Sequence, residues 1–213
     1  MLAAVGKQMA TRGLGGLEWA SNVPGTIGAS VVNNSGAFGS CVEEHLLSAR
    51  VFTGDGIVSL DARDLGLAYR TSRLKRGELV GVVLDATYRL SREDPAILRQ
   101  RIAEIQRIRR QTQPTGYSVG SVFANPEGDS AGRLIEQAGL KGVSVGDAEV
   151  SSLHANFIVN RQSARAADVL ALMRRIQSVV WERHRIWLKP EVQLLGRFEP
   201  GDAPALTPPG AAA

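Results

Sequence analysis

A glycine-rich stretch near the N-terminus is the feature that most constrains how this chain of 213 residues can fold. Gly25, Gly28, Gly36 and Gly39 lie within fifteen residues of one another. Glycine adopts backbone angles that other residues disfavour, and it leaves room for a ligand or another backbone to come close. The stretch therefore predicts tight turns that approach either a ligand or a neighbouring strand.

The sequence that follows has the pattern of β-structure. Two short strand-like runs, 49–53 and 57–60, flank a Gly-Asp-Gly turn at 54–56, and this arrangement predicts a β-hairpin. Residues 79–90 are rich in β-branched and aromatic side chains and predict a longer strand.

From residue 91 the pattern changes to mixed helices and strands. Pro95 is expected to open a helix, because the first helical position needs no backbone N–H. Ser163 is expected to cap the longest helix. The other predicted elements are a loop at 113–125, a helix capped by Asp129 or Ser130 and ended by Gly139, a strand at 155–160 and a last strand at 191–195.

These patterns predict two domains of the α+β class. Residues 1–90 form the β-rich, glycine-rich domain, and residues 91–198 form the second domain. Residues 199–213 are rich in proline and alanine, and we expect them to be disordered.

Composition excludes several classes of function. The 25 basic and 21 acidic residues give a net charge of +4 without a block of like charges, so we expect no nucleic-acid partner. No apolar run reaches the ~18–20 residues that span a bilayer, and the N-terminus lacks a signal-peptide pattern, so we expect no membrane insertion. The single cysteine, Cys41, agrees with a reducing cytoplasm.

General catalytic motifs add little. His45, His154 and His184 have no metal-ligand spacing, and we expect no metal site. The chain has no GxSxG elbow, P-loop or GxGxxG fingerprint.

Seven longer segments carry more information because they occur in a fixed order. They are GLEW, PGTIGASVVNNSGAFG, YRTSRLK, GSVFANP, DSAGRLIEQAGLKG, HANFIVN and KPEVQLLG. In sequence and order they resemble the UDP-N-acetylenolpyruvoylglucosamine reductases, the MurB family. The resemblance implies the C-terminal part of a vanillyl-alcohol-oxidase-type FAD-binding domain in 1–90, followed by a smaller α+β substrate-binding domain. Because family members carry a further N-terminal segment with a glycine loop for the FAD pyrophosphate, we expect this chain to be N-terminally truncated.

The resemblance also implies a reaction. FAD-dependent, NADPH-driven reduction would convert UDP-N-acetylglucosamine enolpyruvate to UDP-N-acetylmuramate, a step of peptidoglycan precursor synthesis in the cytoplasm. By the same resemblance, Ser121 is the proton donor and Arg70 faces the substrate carboxylate. Glu191 either hydrogen-bonds the developing enediolate or orients the acidic group.

Other residues match the ligand-binding positions of the family. The expected flavin contacts are Gly25, Thr26, Ile27, Gly28, Ala29, Asn34, Gly36 and Ala37. Asn125 matches a substrate-binding asparagine, although Ala124 stands where the family often has a lysine or arginine.

Each assignment has an alternative. Ser121 is also explained as a loop serine, Arg70 as part of a surface ion pair and Glu191 as an ordinary strand residue. The chain as a whole is alternatively an inactive remnant, a module that binds the UDP-sugar alone, or a related flavin-dependent oxidase of the same fold class.

Overall fold

The computed structural model describes residues 1–197, which form two compact units. The first unit covers residues 1–108, and the second begins at Arg109. Each unit has its own buried apolar core and contains both helices and strands. The predicted α+β class is therefore confirmed, whereas the predicted tail at 199–213 lies outside the described residues.

The first unit is built on a three-stranded antiparallel sheet, in which β4 (Leu46–Phe52) lies between β5 (Ile57–Asp61) and β6 (Val82–Tyr88). The predicted hairpin is confirmed, since β4 and β5 pair up to the turn and Thr53 N–H bonds to the Gly56 carbonyl at 3.0 Å. The elements of this unit, in chain order, are α1 (Leu2–Thr11), β1 (Leu14–Gly15), a 3-10 helix (Glu18–Asn22), α2 (Ile27–Val32), β2 (Gly36–Ala37), β3 (Ser40–Cys41), β4 (Leu46–Phe52), β5 (Ile57–Asp61), a second 3-10 helix (Ala62–Leu65), β6 (Val82–Tyr88), β7 (Ser91–Arg92) and the beginning of α3 (Pro95–Thr112).

The second unit packs two helices on a four-stranded antiparallel sheet. The strands lie in the order β8 (Ser118–Ser121), β11 (Phe157–Asn160), β10 (Ala148–Val150) and β9 (Ser144–Val145). Leu172, Met173 and Ile176 lie on one side of its long helix and are almost fully buried. This is the burial expected of an amphipathic helix over a sheet. The elements are β8 (Ser118–Ser121), α4 (Ala131–Gln137), β9 (Ser144–Val145), β10 (Ala148–Val150), β11 (Phe157–Asn160) and α5 (Ala166–His184).

The boundary between the units falls after Ile108, inside α3, whereas the sequence pattern placed it after residue 90. The first turns of α3 belong to the first unit because Leu98 is fully buried and Arg101 pairs with Glu93 and Glu18. None of the helices within residues 1–197 is both long and apolar enough to cross a membrane.

Three local predictions are wrong. Residues 191–195 form no strand, and only an isolated bridge joins Pro190 to Phe123 there; proline lacks the N–H that a ladder needs. Ser163 does not cap α5, which begins after Arg165, where the Asp168 carboxylate accepts the Arg165 N–H at 2.9 Å. The expected loop at 113–125 contains strand β8.

Candidate active site

Ser121 and Glu191 lie on neighbouring backbone segments of the second unit. Ser121 is the last residue of β8 and is paired with Phe157 of β11. One residue later, the Val122 carbonyl accepts the Glu191 N–H at 2.8 Å. Both side chains are half-buried. The structure therefore places the backbone segments of two of the three predicted catalytic residues side by side.

Asn125 lies at the start of helix α4 in the same unit. Its Oδ1 accepts the Ala131 N–H at 3.0 Å, and the Ser130 hydroxyl accepts the Arg133 N–H at 3.2 Å. These bonds satisfy N–H groups that the first turn of a helix leaves without intrahelical partners. Ser130 is thus confirmed as the cap, and the Asn125 oxygen has a structural partner in this geometry.

Arg70 lies in the first unit, in a tight turn closed by reciprocal hydrogen bonds between Ala68 and Thr71. Its φ of +56° is in the left-handed region, which non-glycine residues seldom adopt. The Arg70 carbonyl accepts the Lys75 ammonium at 2.9 Å, and the guanidinium carbon lies 5.6 Å from the centre of the Tyr69 ring. The half-buried Arg70 is therefore held in one unusual conformation.

Two buried polar side chains tie this turn to helix α2 and the residues after it. Asn34 Nδ2 donates to the Ala68 carbonyl at 2.9 Å, and the Ser72 hydroxyl donates to the Val32 carbonyl at 2.6 Å. Asn34 is 4% exposed and Ser72 is fully buried. Two segments that the sequence analysis assigned to cofactor and substrate are therefore neighbours.

The segment expected to contact flavin contains glycines with different structural reasons. Gly25 has a φ of +113°, and a Cβ there would meet nothing within 4 Å. A Cβ at Gly28 would lie 3.2 Å from the Val83 carbonyl of β6, and one at Gly36 would lie 2.7 Å from the Ser40 carbonyl. Packing thus accounts for Gly28 and Gly36, whereas Gly25 borders open space.

The start of α2 is capped by Thr26, whose hydroxyl accepts the Ala29 N–H at 3.1 Å. Ile27 opens the helix and packs partly against the core of the first unit, as does Ala37 of strand β2. The eight residues expected to bind flavin therefore lie at the start of one capped helix, in the turn after it and in one strand of a short hairpin.

The first unit also has a groove of about 740 Å³, which these eight residues do not line. Its lining includes Trp19, Phe38, Ser40, His45 and Arg101, and it includes none of the residues predicted for the site. Within residues 1–197, no group of three or more histidine, cysteine, aspartate or glutamate side chains is placed to hold a metal ion.

Comparison with known proteins identifies the relatives of this chain. Residues 111–195 match the family model for the C-terminal domain of UDP-N-acetylenolpyruvoylglucosamine reductase. The UDP-N-acetylenolpyruvoylglucosamine reductase of Chloroflexus aurantiacus is 46% identical over 198 residues, which are 91% of this chain and 67% of that protein. The chain belongs to the UDP-N-acetylenolpyruvoylglucosamine reductase family.

Two further relatives, which are also named as this reductase, support the same family assignment. The reductase of a Nostoc species is 48% identical over 90% of this chain and 58% of its own length. The crystal structure of the UDP-N-acetylenolpyruvylglucosamine reductase from Thermus caldophilus has a TM-score of 0.80 and 38% identity, covering 90% of this chain and 68% of that one. The chain thus spans between about three fifths and two thirds of the length of these three reductase-family proteins.

Asn156 is a buried residue to which the sequence analysis assigned no role. Its side-chain amide accepts the Phe123 N–H at 3.0 Å and donates to the Phe123 carbonyl at 2.8 Å. Its own carbonyl accepts the Val122 N–H at 2.9 Å. The signal available in the sequence was its position in HANFIVN, one of the segments that carry the reductase-family resemblance.

His154 of the same segment packs against Gly132 of a second one, DSAGRLIEQAGLKG. Burial lowers the pKa of the His154 imidazole, and its Nδ1 accepts the Asn156 N–H at 3.2 Å. A Cβ at Gly132 would lie 3.0 Å from the His154 ring. Glycine at this position of α4 therefore leaves room for the histidine that contacts Asn156.

Proposed function

We propose that this chain carries the reductase reaction of its family: the FAD-dependent, NADPH-driven reduction of UDP-N-acetylglucosamine enolpyruvate to UDP-N-acetylmuramate in peptidoglycan precursor synthesis. The observation that carries the proposal is the pairing of the segments that hold Ser121 and Glu191. Both residues lie within the range that matches the family model. The reducing cytoplasm, with which the single Cys41 agrees, is the proposed location.

Residues of the first unit fit a bound flavin. Gly25 borders open space, so its backbone is accessible to a ligand, and Thr26 to Ala29 follow it at the start of α2. We assign the FAD contacts to these residues and to Asn34, Gly36 and Ala37, with the Asn34 side chain fixing the backbone. When bound, FAD supplies the hydride that NADPH provides. This assignment makes 1–90 part of a vanillyl-alcohol-oxidase-type domain.

The chain's own residues would bind and protonate the substrate. The Arg70 guanidinium can hold the enolpyruvyl carboxylate through two parallel hydrogen bonds and remains charged throughout. The Ser121 hydroxyl would deliver a proton to the substrate carbon as negative charge develops on the conjugated carboxylate. A serine hydroxyl is acidic enough only toward such a basic centre.

Glu191 would stabilise or orient the groups that take part in this proton transfer, because its backbone is hydrogen-bonded next to Ser121. Asn125 would contact the sugar nucleotide from the start of α4. One hydride and one proton add across the double bond, so atoms and charge balance in the lactyl ether product.

A second candidate function is binding of the UDP-sugar by the second unit alone. It is favoured by one observation: Ser121, Asn125 and Glu191 all lie in the second unit, in the range matched by the family model. This candidate requires neither flavin nor NADPH.

The visible absorption spectrum of the purified chain tests the two candidates. FAD is added, unbound cofactor is removed, and the spectrum is recorded before and after NADPH and then the enolpyruvyl sugar nucleotide. A retained flavin band that NADPH bleaches and the substrate restores supports the reductase. A colourless protein contradicts it, and heat on titration with a UDP-sugar in the absence of flavin then supports the binding module.

A further inference from the structure

We propose that Asn156 is a positioning residue for the reductase reaction, because its buried amide fixes the backbone that carries Ser121 and pairs with Glu191. The inference rests on the proposed function. Asn156 itself is assigned no contact with substrate or cofactor.

Asn156 holds both backbone groups of Phe123 through its side chain. Asn156 is 4% exposed and Phe123 is 1% exposed, so water cannot readily replace their hydrogen bonds. The side-chain amide uses its oxygen for the Phe123 N–H and its nitrogen for the Phe123 carbonyl. One side chain therefore satisfies both backbone groups of this residue, as a neighbouring strand would.

Residues 189–191 hold the same segment from its other side. Lys189 and Glu191 bond to Ala124 and Val122, on either side of Phe123. Backbone groups of successive residues in an extended strand point to opposite edges. The segment 122–124 is thus held by Asn156 along one edge and by residues 189–191 along the other.

The Asn156 side chain has the hydrogen-bonding groups that this position requires. The Phe123 N–H needs an acceptor and the Phe123 carbonyl needs a donor, and a carboxamide provides both. An ionised carboxylate provides only the acceptor, and leucine, of similar size, provides neither. Asparagine is therefore suited to this position by its hydrogen-bonding groups as well as by its size.

The position of segment 122–124 determines where Ser121 and Glu191 lie. Ser121 precedes the segment by one residue, and Glu191 is bonded to it directly. A displacement of 1 Å at a reacting group can reduce a rate by about a hundredfold. A loosened segment would therefore reduce turnover more than it reduces substrate binding.

The experiment compares N156D with a matched control, N160D. Asn160 is the last residue of β11, the strand that follows Asn156, and it is exposed. Within residues 1–197, the only hydrogen bond of its side chain is that of Oδ1, which accepts the Ala164 N–H at 2.9 Å. An aspartate keeps that bond. Because position 156 is buried, we expect the pKa of the N156D carboxyl to be raised, and its protonated form would again offer one donor and one acceptor. His154, Lys189 and Glu191 are the titratable groups on the bonded segments, and both variants retain them.

The measurement is kcat and KM of wild type and both variants from pH 5.5 to 8. We expect the kcat of N156D, relative to wild type, to fall by about tenfold or more as the pH rises, with KM changed less than about threefold. The N160D ratio should stay flat. A kcat of N156D that follows wild type at every pH, or a KM that rises as much as kcat falls, overturns the inference.

A second readout separates this inference from the proposed function. If wild type shows no turnover, the reductase proposal fails, and amide exchange at Phe123 and Glu191 then decides the role of Asn156. The positioning role is supported if exchange is faster in N156D than in N160D at pH 8 and if the ratio of the two rates falls toward one at pH 5.5. Equal exchange in the two variants overturns it. An N156L variant, which has neither group, should show faster exchange at both pH values.

Discussion

The backbone N–H of Glu191 lies 2.8 Å from the carbonyl oxygen of Val122, the residue that follows Ser121. This bond joins two family segments, GSVFANP and KPEVQLLG, that are far apart in the sequence. Because the contact is made by backbone atoms, many side chains are compatible with it at position 191. The backbone contact alone therefore does not determine the residue at position 191, whereas the proposed reaction requires a carboxylate there.

Replacing Ser121 by alanine should stop the second half of the proposed reaction and spare the first. NADPH should bleach the bound flavin at the wild-type rate, whereas reoxidation by the enolpyruvyl substrate should be slower by roughly 10²–10⁴-fold. Stopped-flow absorbance measures both steps. Ser144, exposed on β9, provides the control substitution S144A. Wild-type reoxidation in S121A would remove Ser121 from the mechanism.

Replacing Arg70 by lysine should weaken substrate binding although the charge is kept. Lysine cannot form the two parallel hydrogen bonds of the guanidinium, so we expect KM for the enolpyruvyl substrate to rise about tenfold or more. R63K, at an exposed arginine paired with Asp61, is the matched control and should leave KM unchanged. An unchanged KM in R70K would place the substrate carboxylate elsewhere.

Replacing Ser72 by alanine should destabilise the first unit. The substitution removes the donor to the Val32 carbonyl and the acceptor of the Lys75 N–H. Leaving such buried groups unpaired costs about 1–3 kcal/mol of unfolding free energy. Denaturant unfolding measures this loss, and S59A on the exposed strand β5 should change the free energy by less than about 0.5 kcal/mol. Equal stability of the two variants would contradict the structural role of Ser72.

His154 should make the second unit less stable in mild acid. Burial lowers its pKa below the ordinary value of 6.5, so the unfolded chain binds the proton more readily. Stability present above about pH 6.5 is therefore lost as the pH falls toward the pKa of the folded protein. The carboxyl groups of Asp129 and Glu149, whose pKa values are lowered by arginine partners, act only at lower pH.

The measurement for His154 is the unfolding free energy of wild type and H154Q between pH 7.5 and 5.5. Wild type should lose stability over this interval relative to the variant. Parallel pH dependence in the two proteins would show that the burial of His154 has no effect on proton binding.

Local signals in the sequence were sufficient for several elements. The Gly-Asp-Gly turn at 54–56 places glycines at φ values of +96° and +155°, as a tight hairpin requires, and the flanking strands were predicted correctly. Ser130 and Gly139 mark the two ends of α4 for equally local reasons. Such features depend on the conformational preferences of single residues.

Features that depend on distant partners were not predictable in the same way. The hydrogen bond of Asn34 to Ala68 and that of Asn156 to Phe123 join residues separated by more than thirty positions. The predicted cap at Ser163 is wrong because α5 begins after Arg165, and the Ser163 N–H instead bonds to the Asp147 carboxylate in the turn between β9 and β10. A single sequence does not show such pairings.

Because Arg70 has a left-handed conformation, two selective pressures at this position favour different residues. A side chain at a φ of +56° costs on the order of 1–2 kcal/mol, a cost that glycine avoids and asparagine reduces. A mutant library selected for heat resistance alone should therefore accumulate glycine or asparagine at position 70. If Arg70 has its proposed role, selection for cell-wall synthesis should restore arginine, so sequencing the two survivor populations would separate what the turn prefers from what the proposed reaction requires.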